Sequence, residues 1–139
     1  MANSSWPSFL ASAAAFAPRD PLICYAIKSC SNLHICRLLK GCGAGFDVVS
    51  GGELKRAIEA GAAPAKIVFA GVGKTDEEIS AGLDEQIGWF NIESPAELDV
   101  LAAIARRRGV RPRACLRVNP DVDPKTHRYT TTGKKETKF

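Results

Sequence analysis

Short segments rich in strand-forming residues alternate along the chain with segments of helical pattern. The strand-like segments are PLICYAIK, GFDVV, KIVFAG, IGWFNIE and RACLRVN. This alternation predicts βαβ units, in which parallel strands are joined by right-handed helical crossovers. A doubly wound sheet and a (β/α)₈ barrel both fit the pattern. A complete barrel takes about 250 residues, so a chain of 139 residues would hold only part of one.

The same helix-start signal follows three of these strand-like segments. A Ser or Thr precedes a Glu by three residues at Ser50 and Glu53, at Thr75 and Glu78, and at Ser94 and Glu97. In each pair the hydroxyl is expected to accept from the amide of the Glu, while the carboxylate returns to the N-cap amide. The last of these helices is predicted to end at Gly109, where the preceding run of three arginines complements the helix dipole.

Composition excludes several classes of protein. The hydrophobic share of 45% and charged share of 24% are ordinary for a globular protein. The net charge of +4 is spread along the chain, so no nucleic-acid partner is expected. Five cysteines without a C-x-x-C pair predict reduced thiols. His34 and His127 stand alone, so no metal site is expected.

The N-terminal segment MANSSWPSFLASAAAFAP contains a short apolar run of small residues. No Lys or Arg precedes this run, which argues against a signal peptide and favours a cytoplasmic protein. No apolar stretch approaches the roughly 20 residues that span a bilayer, so no membrane segment is expected.

The segment GVGKT, residues 71–75, resembles part of a phosphate-binding P-loop. The motif fails because Val68 stands where its first glycine is required. We therefore expect these glycines to form a strand-to-helix turn, which still leaves amides able to meet an anion.

Lys28 ends a predicted strand from Ile23 to Lys28, whose alternation places Cys24, Ala26 and Lys28 on one face. In a barrel this smaller set would line the interior, while Ile23, Tyr25 and Ile27 would pack against helices. Partial desolvation at the rim would make the amine a competent nucleophile. Spacing alone favours a solvated lysine at a strand end.

Three further ionisable residues are candidates for the same region. Asp47 and Arg117 lie near the C-terminal ends of the second and fifth strands, which is the rim that carries Lys28. Glu53 has a sufficient structural explanation in its capping pattern.

Five segments together resemble the diaminopimelate decarboxylases, within the larger group of pyridoxal-phosphate enzymes that also decarboxylate ornithine and arginine. The segments are YAIKSCSNL, GAGFDVVSGGEL, IVFAGVGKTDEEI, FNIES and LRVNPDVDPKTH. The resemblance covers nearly everything from Pro21 to Phe139, and GVGKTDEEI with RVNPDVDPKTH favours the diaminopimelate branch.

The resemblance implies an α/β fold, a partial (β/α)₈ TIM barrel of the alanine-racemase-like type with about five parallel strands. A leading helix is expected in residues 1–20, β/α units in 21–118 and a loop region in 119–139, with the family's C-terminal β-domain outside this chain. The resemblance also implies that Lys28 holds pyridoxal 5′-phosphate covalently, with Asp47, Glu53 and Arg117 near the cofactor. Cys30 departs from the family pattern, which has Asn there.

The implied activity is decarboxylation of meso-2,6-diaminopimelate to L-lysine, with an amino-acid substrate and a homodimer in the full-length family. The chain is expected to be an incomplete fragment without turnover of its own. Two alternatives remain open within the family, a decarboxylase of ornithine, arginine or carboxynorspermidine, and a non-catalytic cofactor-binding module. A third alternative is a basic interaction protein that uses the TGKKETK segment.

Overall fold

A computed structural model describes residues 5–119, with side chains from residue 9 onward. Its helices are α1 Ser5–Phe16, α2 Leu33–Gly41, α3 Gly51–Glu59, α4 Asp76–Asp84 and α5 Pro95–Arg108. Its strands are β1 Cys24–Ala26, β2 Gly45–Val48, β3 Ile67–Phe69, β4 Trp89–Ile92 and β5 Ala114–Leu116, and 3₁₀ turns lie at Ala17–Arg19, Ile27–Ser29 and Pro64–Lys66. His127, the TGKKETK segment and nearly all of the expected loop region 119–139 lie outside the described residues.

The strands form one parallel sheet in the sequential order β1-β2-β3-β4-β5. A doubly wound sheet reverses its strand order at a switch point, whereas a barrel adds each strand beside the previous one. The sequential order therefore confirms the prediction of a partial barrel.

The two faces of the sheet differ in side-chain size. One face carries the largest buried side chains and packs against the helices: Phe46, Val48, Ile67, Phe69, Phe90 and Ile92. The alternate residues of the same strands, among them Asp47, Val68 and Asn91, face a cavity instead. Small and polar residues on the inner face thus leave room for a site, as the period-two pattern predicts.

The predicted N-caps are confirmed in their first part. The side-chain hydroxyls of Ser50, Thr75 and Ser94 each accept a hydrogen bond from the amide three residues later. The reciprocal carboxylate bond forms only at Thr75, where Glu78 Oε2 accepts from the Thr75 amide at 3.1 Å. At the two serines the carboxylate instead accepts from the residue before the N-cap. Ser50 and Ser94 have φ near −155°, against −82° at Thr75, so their own amides point in a different direction.

Helix α5 ends as predicted. Gly109 adopts a left-handed φ of 67°, and its amide donates to the carbonyls of Ala105 and Arg106. Arg108 forms an ion pair with Asp84 of α4 and donates to the Ser80 carbonyl. The arginine run therefore has a structural role at this helix end.

The prediction of a strand reaching Lys28 is wrong. Strand β1 ends at Ala26, and Ile27–Ser29 forms a 3₁₀ turn that the Cys30 amide closes by donating to the Ile27 carbonyl at 3.0 Å. Ile27 is completely buried in the core, which anchors the turn. Lys28 thus projects from a turn beyond the strand.

All five cysteines are free thiols. Within residues 5–119, no helix combines the length and the apolar character needed to cross a membrane.

Candidate active site

A cavity of about 980 Å³ opens on the inner face of the sheet, at the carboxyl ends of the strands. Lys28, Asp47 and Arg117, three of the four predicted site residues, line this cavity together with Glu93. Val49, Val68 and Ala70 supply apolar wall between them. The carboxyl ends of parallel strands are where β/α barrels place their functional groups.

Lys28 lines the cavity but is exposed to solvent. The expected desolvation of its amine is therefore not found within residues 5–119. Two features explain this: the 3₁₀ turn carries Lys28 past the end of β1, and β1 pairs only with β2 in the described sheet.

Asp47 lies on β2 with its side chain turned into the cavity. Burial raises the pKa of Asp47 above its ordinary value, and the positive charge of Lys28 opposes that rise. The negative charges of Glu53 and Glu93 raise the pKa further, while Arg117 lowers it. Among the described residues, the buried Oδ1 atom of Asp47 has no hydrogen-bond partner. Such an atom is suited to meet a donor group of a ligand.

Arg117 follows β5 and points toward the end of β4. Its Nη1 atom donates to Glu93 Oε2 at 2.9 Å, and the Glu93 side chain is only 1% exposed. The second Glu93 oxygen, Oε1, accepts from the Gly71 amide at 2.8 Å. Glu93 therefore joins the ends of two strands to the turn after β3.

Glu53 is not among the residues that line the cavity. Its Oε2 atom accepts from the Val49 amide at 2.9 Å, which fixes the link between β2 and α3. Its charge still acts on Asp47. The structure thus places Glu53 behind the cavity wall, beside a residue that lines it.

The segment GVGKT forms the expected strand-to-helix turn. Gly71 has a φ of 103°, and the side chain of Lys74 is buried within the turn. The ammonium group of Lys74 donates to the carbonyls of Gly71 and Asn91 and to Glu97 Oε1. With its three donors used in this way, Lys74 holds the loop in place.

Glu93 and Lys74 were not among the residues predicted for the site. A signal existed for Glu93, because Phe90 and Ile92 are apolar and alternation then turns Asn91 and Glu93 inward. Lys74 carried no comparable signal, since its partner Glu97 lies on a different β/α unit.

Two features of the cysteines bear on the site. Burial, and then the charge of Asp47, raise the pKa of the Cys24 thiol at the cavity wall, so this thiol is a poor nucleophile. Cys30 stands where the family pattern has Asn, and its carbonyl accepts from the Tyr25 hydroxyl at 3.3 Å.

The residues present suit a cofactor that carries an aldehyde and an anionic group. Lys28 supplies a primary amine and Arg117 a guanidinium. Asp47 supplies a carboxylate oxygen that has no hydrogen-bond partner within residues 5–119 and faces the same space. Among residues 5–119, no group of three or more His, Cys, Asp or Glu side chains is arranged to hold a metal ion.

Fold and cavity together define a β/α-barrel protein with a lysine at the carboxyl rim of its sheet. Residues 8–139 match the family model described as the pyridoxal binding domain of pyridoxal-dependent decarboxylases. The chain belongs to this family, whose cofactor is pyridoxal phosphate.

Curated relatives and solved structures agree with this assignment. The chain is similar to the diaminopimelate decarboxylase of Aquifex aeolicus, with 54% identity over 86% of this chain and 29% of the relative. It is also similar to that of Pseudomonas aeruginosa, with 48% identity over 94% of this chain and 32% of the relative. A crystal structure of Helicobacter pylori diaminopimelate decarboxylase with L-lysine superposes with a TM-score of 0.80 at 48% identity, over 85% of this chain and 30% of that one. The chain thus spans about a third of the length of these relatives.

Proposed function

We propose that this chain is the cofactor-lysine portion of a diaminopimelate decarboxylase, which converts meso-2,6-diaminopimelate to L-lysine and carbon dioxide. The observation that carries the proposal is the convergence of Lys28, Asp47 and Arg117 on one cavity at the carboxyl rim. The identities of 54% and 48% to diaminopimelate decarboxylases support this substrate. So does the L-lysine in the Helicobacter pylori complex, since lysine is the proposed product.

In this proposal each residue has a distinct task. The amine of Lys28 would hold the aldehyde-bearing cofactor covalently at the rim, with loss of water. Arg117 would hold an anionic group of the cofactor or substrate, and the Asp47 carboxylate would accept a hydrogen bond from a donor group of the ligand. Val49, Val68 and Ala70 exclude water from the inner wall. Pyridoxal phosphate, when bound, supplies an electron sink for the electron pair released as carbon dioxide leaves.

Glu53 acts indirectly in this proposal. Its carboxylate fixes the Val49 amide next to the cavity wall, and its charge opposes ionisation of Asp47. We propose in addition a homodimeric, cytoplasmic setting. The five free thiols fit a reducing compartment.

Covalent trapping tests the role of Lys28. The 139-residue chain is incubated with pyridoxal phosphate and reduced with borohydride, and its peptides are examined by mass spectrometry. The adduct is expected on Lys28, and its yield should fall at least about tenfold in Lys28→Ala, because a specific site outcompetes random surface amines. Lys55→Ala, at an exposed position of α3, is the matched control. Equal labelling of all exposed lysines would refute the assignment.

Substrate choice requires a separate measurement. Carbon dioxide release is measured with diaminopimelate, ornithine and arginine on the longest protein that contains this chain. Release from diaminopimelate alone is expected. A preference for ornithine or arginine would move the protein to another branch of the family.

A further inference from the structure

Glu93 is a buried acid whose two carboxylate oxygens are both engaged. Its side chain is 1% exposed at the end of β4. Oε1 accepts from the Gly71 amide at 2.8 Å, and Oε2 accepts from Arg117 Nη1 at 2.9 Å. The carboxylate therefore fixes the guanidinium relative to the backbone of a neighbouring loop.

The anchor for Glu93 is rigid. Gly71 has a φ of 103°, a conformation that other residues rarely adopt, and a Cβ there would lie 3.2 Å from the Val49 carbonyl oxygen. Lys74 also stabilises the turn, because its Nζ atom donates to the Gly71 carbonyl at 2.8 Å. One oxygen of Glu93 is thus held by the loop, and the other holds the Arg117 guanidinium.

Asp47 faces the same cavity, but its carboxylate is not engaged at both oxygens as that of Glu93 is. Its Oδ1 atom is buried and has no partner among the described residues. The charged groups that act on Asp47 come from four elements, Lys28 from the 3₁₀ turn, Glu53 from α3, Glu93 from the end of β4 and Arg117 from beyond β5. Arg117 is close enough to lower the pKa of Asp47, but its Nη1 atom donates to Glu93.

We propose that Glu93 is a positioning residue, which holds the Arg117 guanidinium against the end of β4 and so keeps it from pairing with Asp47. The arrangement preserves two separate features of the cavity. The guanidinium keeps a fixed direction toward an anionic group, and the Asp47 carboxylate stays available to a ligand. The role of these two features in ligand binding rests on the proposed cofactor site. The arrangement of Glu93, Arg117 and Asp47 does not depend on that proposal.

The proposal predicts non-additive effects on the titration of Asp47. Carboxyl NMR of the 139-residue chain follows Asp47 in wild type, Glu93→Gln, Arg117→Gln and the double variant. In Glu93→Gln the pKa of Asp47 should fall, because a repelling charge is lost and the guanidinium, without its ion pair to Glu93, is expected to shift toward Asp47. In the Arg117→Gln background, Glu93→Gln should lower the pKa of Asp47 less, because only the loss of repulsion from Glu93 contributes there. The spectra also report whether Glu93 stays ionised there.

The proposal would be overturned if Glu93→Gln shifted the pKa of Asp47 equally in the wild-type and Arg117→Gln backgrounds while Glu93 is ionised in both. Glu59→Gln, at an exposed position of α3, controls for the loss of one negative charge and should leave the Asp47 titration unchanged. Glu93→Asp keeps the charge on a shorter side chain and should restore part of the wild-type behaviour. No cofactor is needed, so failure here leaves the proposed decarboxylase function standing, and failed trapping at Lys28 leaves this inference standing.

Discussion

The ammonium group of Lys74 lies 2.6 Å from Glu97 Oε1, and the two side chains are 0% and 9% exposed. The pair joins the turn after β3 to the first turn of α5. Lys74 also donates to the carbonyls of Gly71 and Asn91, so its charge is fully satisfied. This contact fastens the loop that carries the anchor of Glu93.

Removing one member of this pair should destabilise the protein strongly. Lys74→Met leaves the Glu97 carboxylate and two backbone carbonyls without their donor, at an expected cost of about 3–5 kcal/mol in the free energy of unfolding. Urea unfolding followed by circular dichroism measures this cost. Lys55→Met, at an exposed position of α3, should change stability by less than about 0.5 kcal/mol. A similar small effect at Lys74 would show that the pair contributes little.

The N-caps of α3 and α4 should respond to alanine substitution in a similar way. Thr75→Ala removes the hydroxyl of the complete capping box and should cost about 1 kcal/mol or more in the free energy of unfolding. Ser50→Ala should cost a similar amount, because the Glu53 carboxylate in α3, like the Glu78 carboxylate in α4, keeps its bond to a backbone amide without the hydroxyl. Thermal unfolding of both variants checks this, and a loss at one position several times that at the other would contradict it.

Much of the fold was predictable because its signals are local. Alternation located the five strands, and a Ser or Thr located the N-caps of α3, α4 and α5. The ends of elements were less predictable: β1 stops at Ala26 because Ile27 turns into the core and the Cys30 amide closes a 3₁₀ turn. That outcome depends on packing, which period-two alternation does not encode.

The candidate site was also predictable only in part. Lys28, Asp47 and Arg117 were predicted to share a rim, and they line one cavity. Their roles as cofactor ligands remain a prediction. The exposure of Lys28 and the engagement of Arg117 by Glu93 depend on neighbours that are distant in sequence, so local patterns could not reveal them.

Two glycines in helices should respond to alanine in opposite directions. A Cβ at Gly82 in α4 would lie 2.7 Å from Phe90 Cζ, and Phe90 is 1% exposed and stacked on Phe69. Gly82→Ala should therefore destabilise the protein by about 1–3 kcal/mol through overpacking. At Gly52 in α3 the nearest atom is 3.8 Å away, and Gly52→Ala should stabilise by up to about 1 kcal/mol. Paired urea unfolding curves test this contrast, which the same sign at both positions would refute.

Asp47 should make the protein less stable as the pH rises. A carboxyl group whose pKa is raised in the folded state binds its proton more tightly there than in the unfolded chain. Its contribution to stability is therefore lost as the pH rises from the ordinary value of 3.8 through the raised folded value. Asp47→Asn cannot ionise, so this variant should be more stable than wild type at neutral pH.

The advantage of Asp47→Asn should shrink as the pH falls below 3.8, because the wild-type carboxyl is then neutral in both states. Urea unfolding at neutral and acidic pH measures the difference, and Asp99→Asn, at an exposed position of α5, controls for the loss of one negative charge. If Asp47→Asn is less stable than wild type at neutral pH, the carboxylate is paired in solution and not held unpartnered. A stabilised variant would instead mean that the protein retains Asp47 at a cost in stability, as expected for a group that binds a ligand.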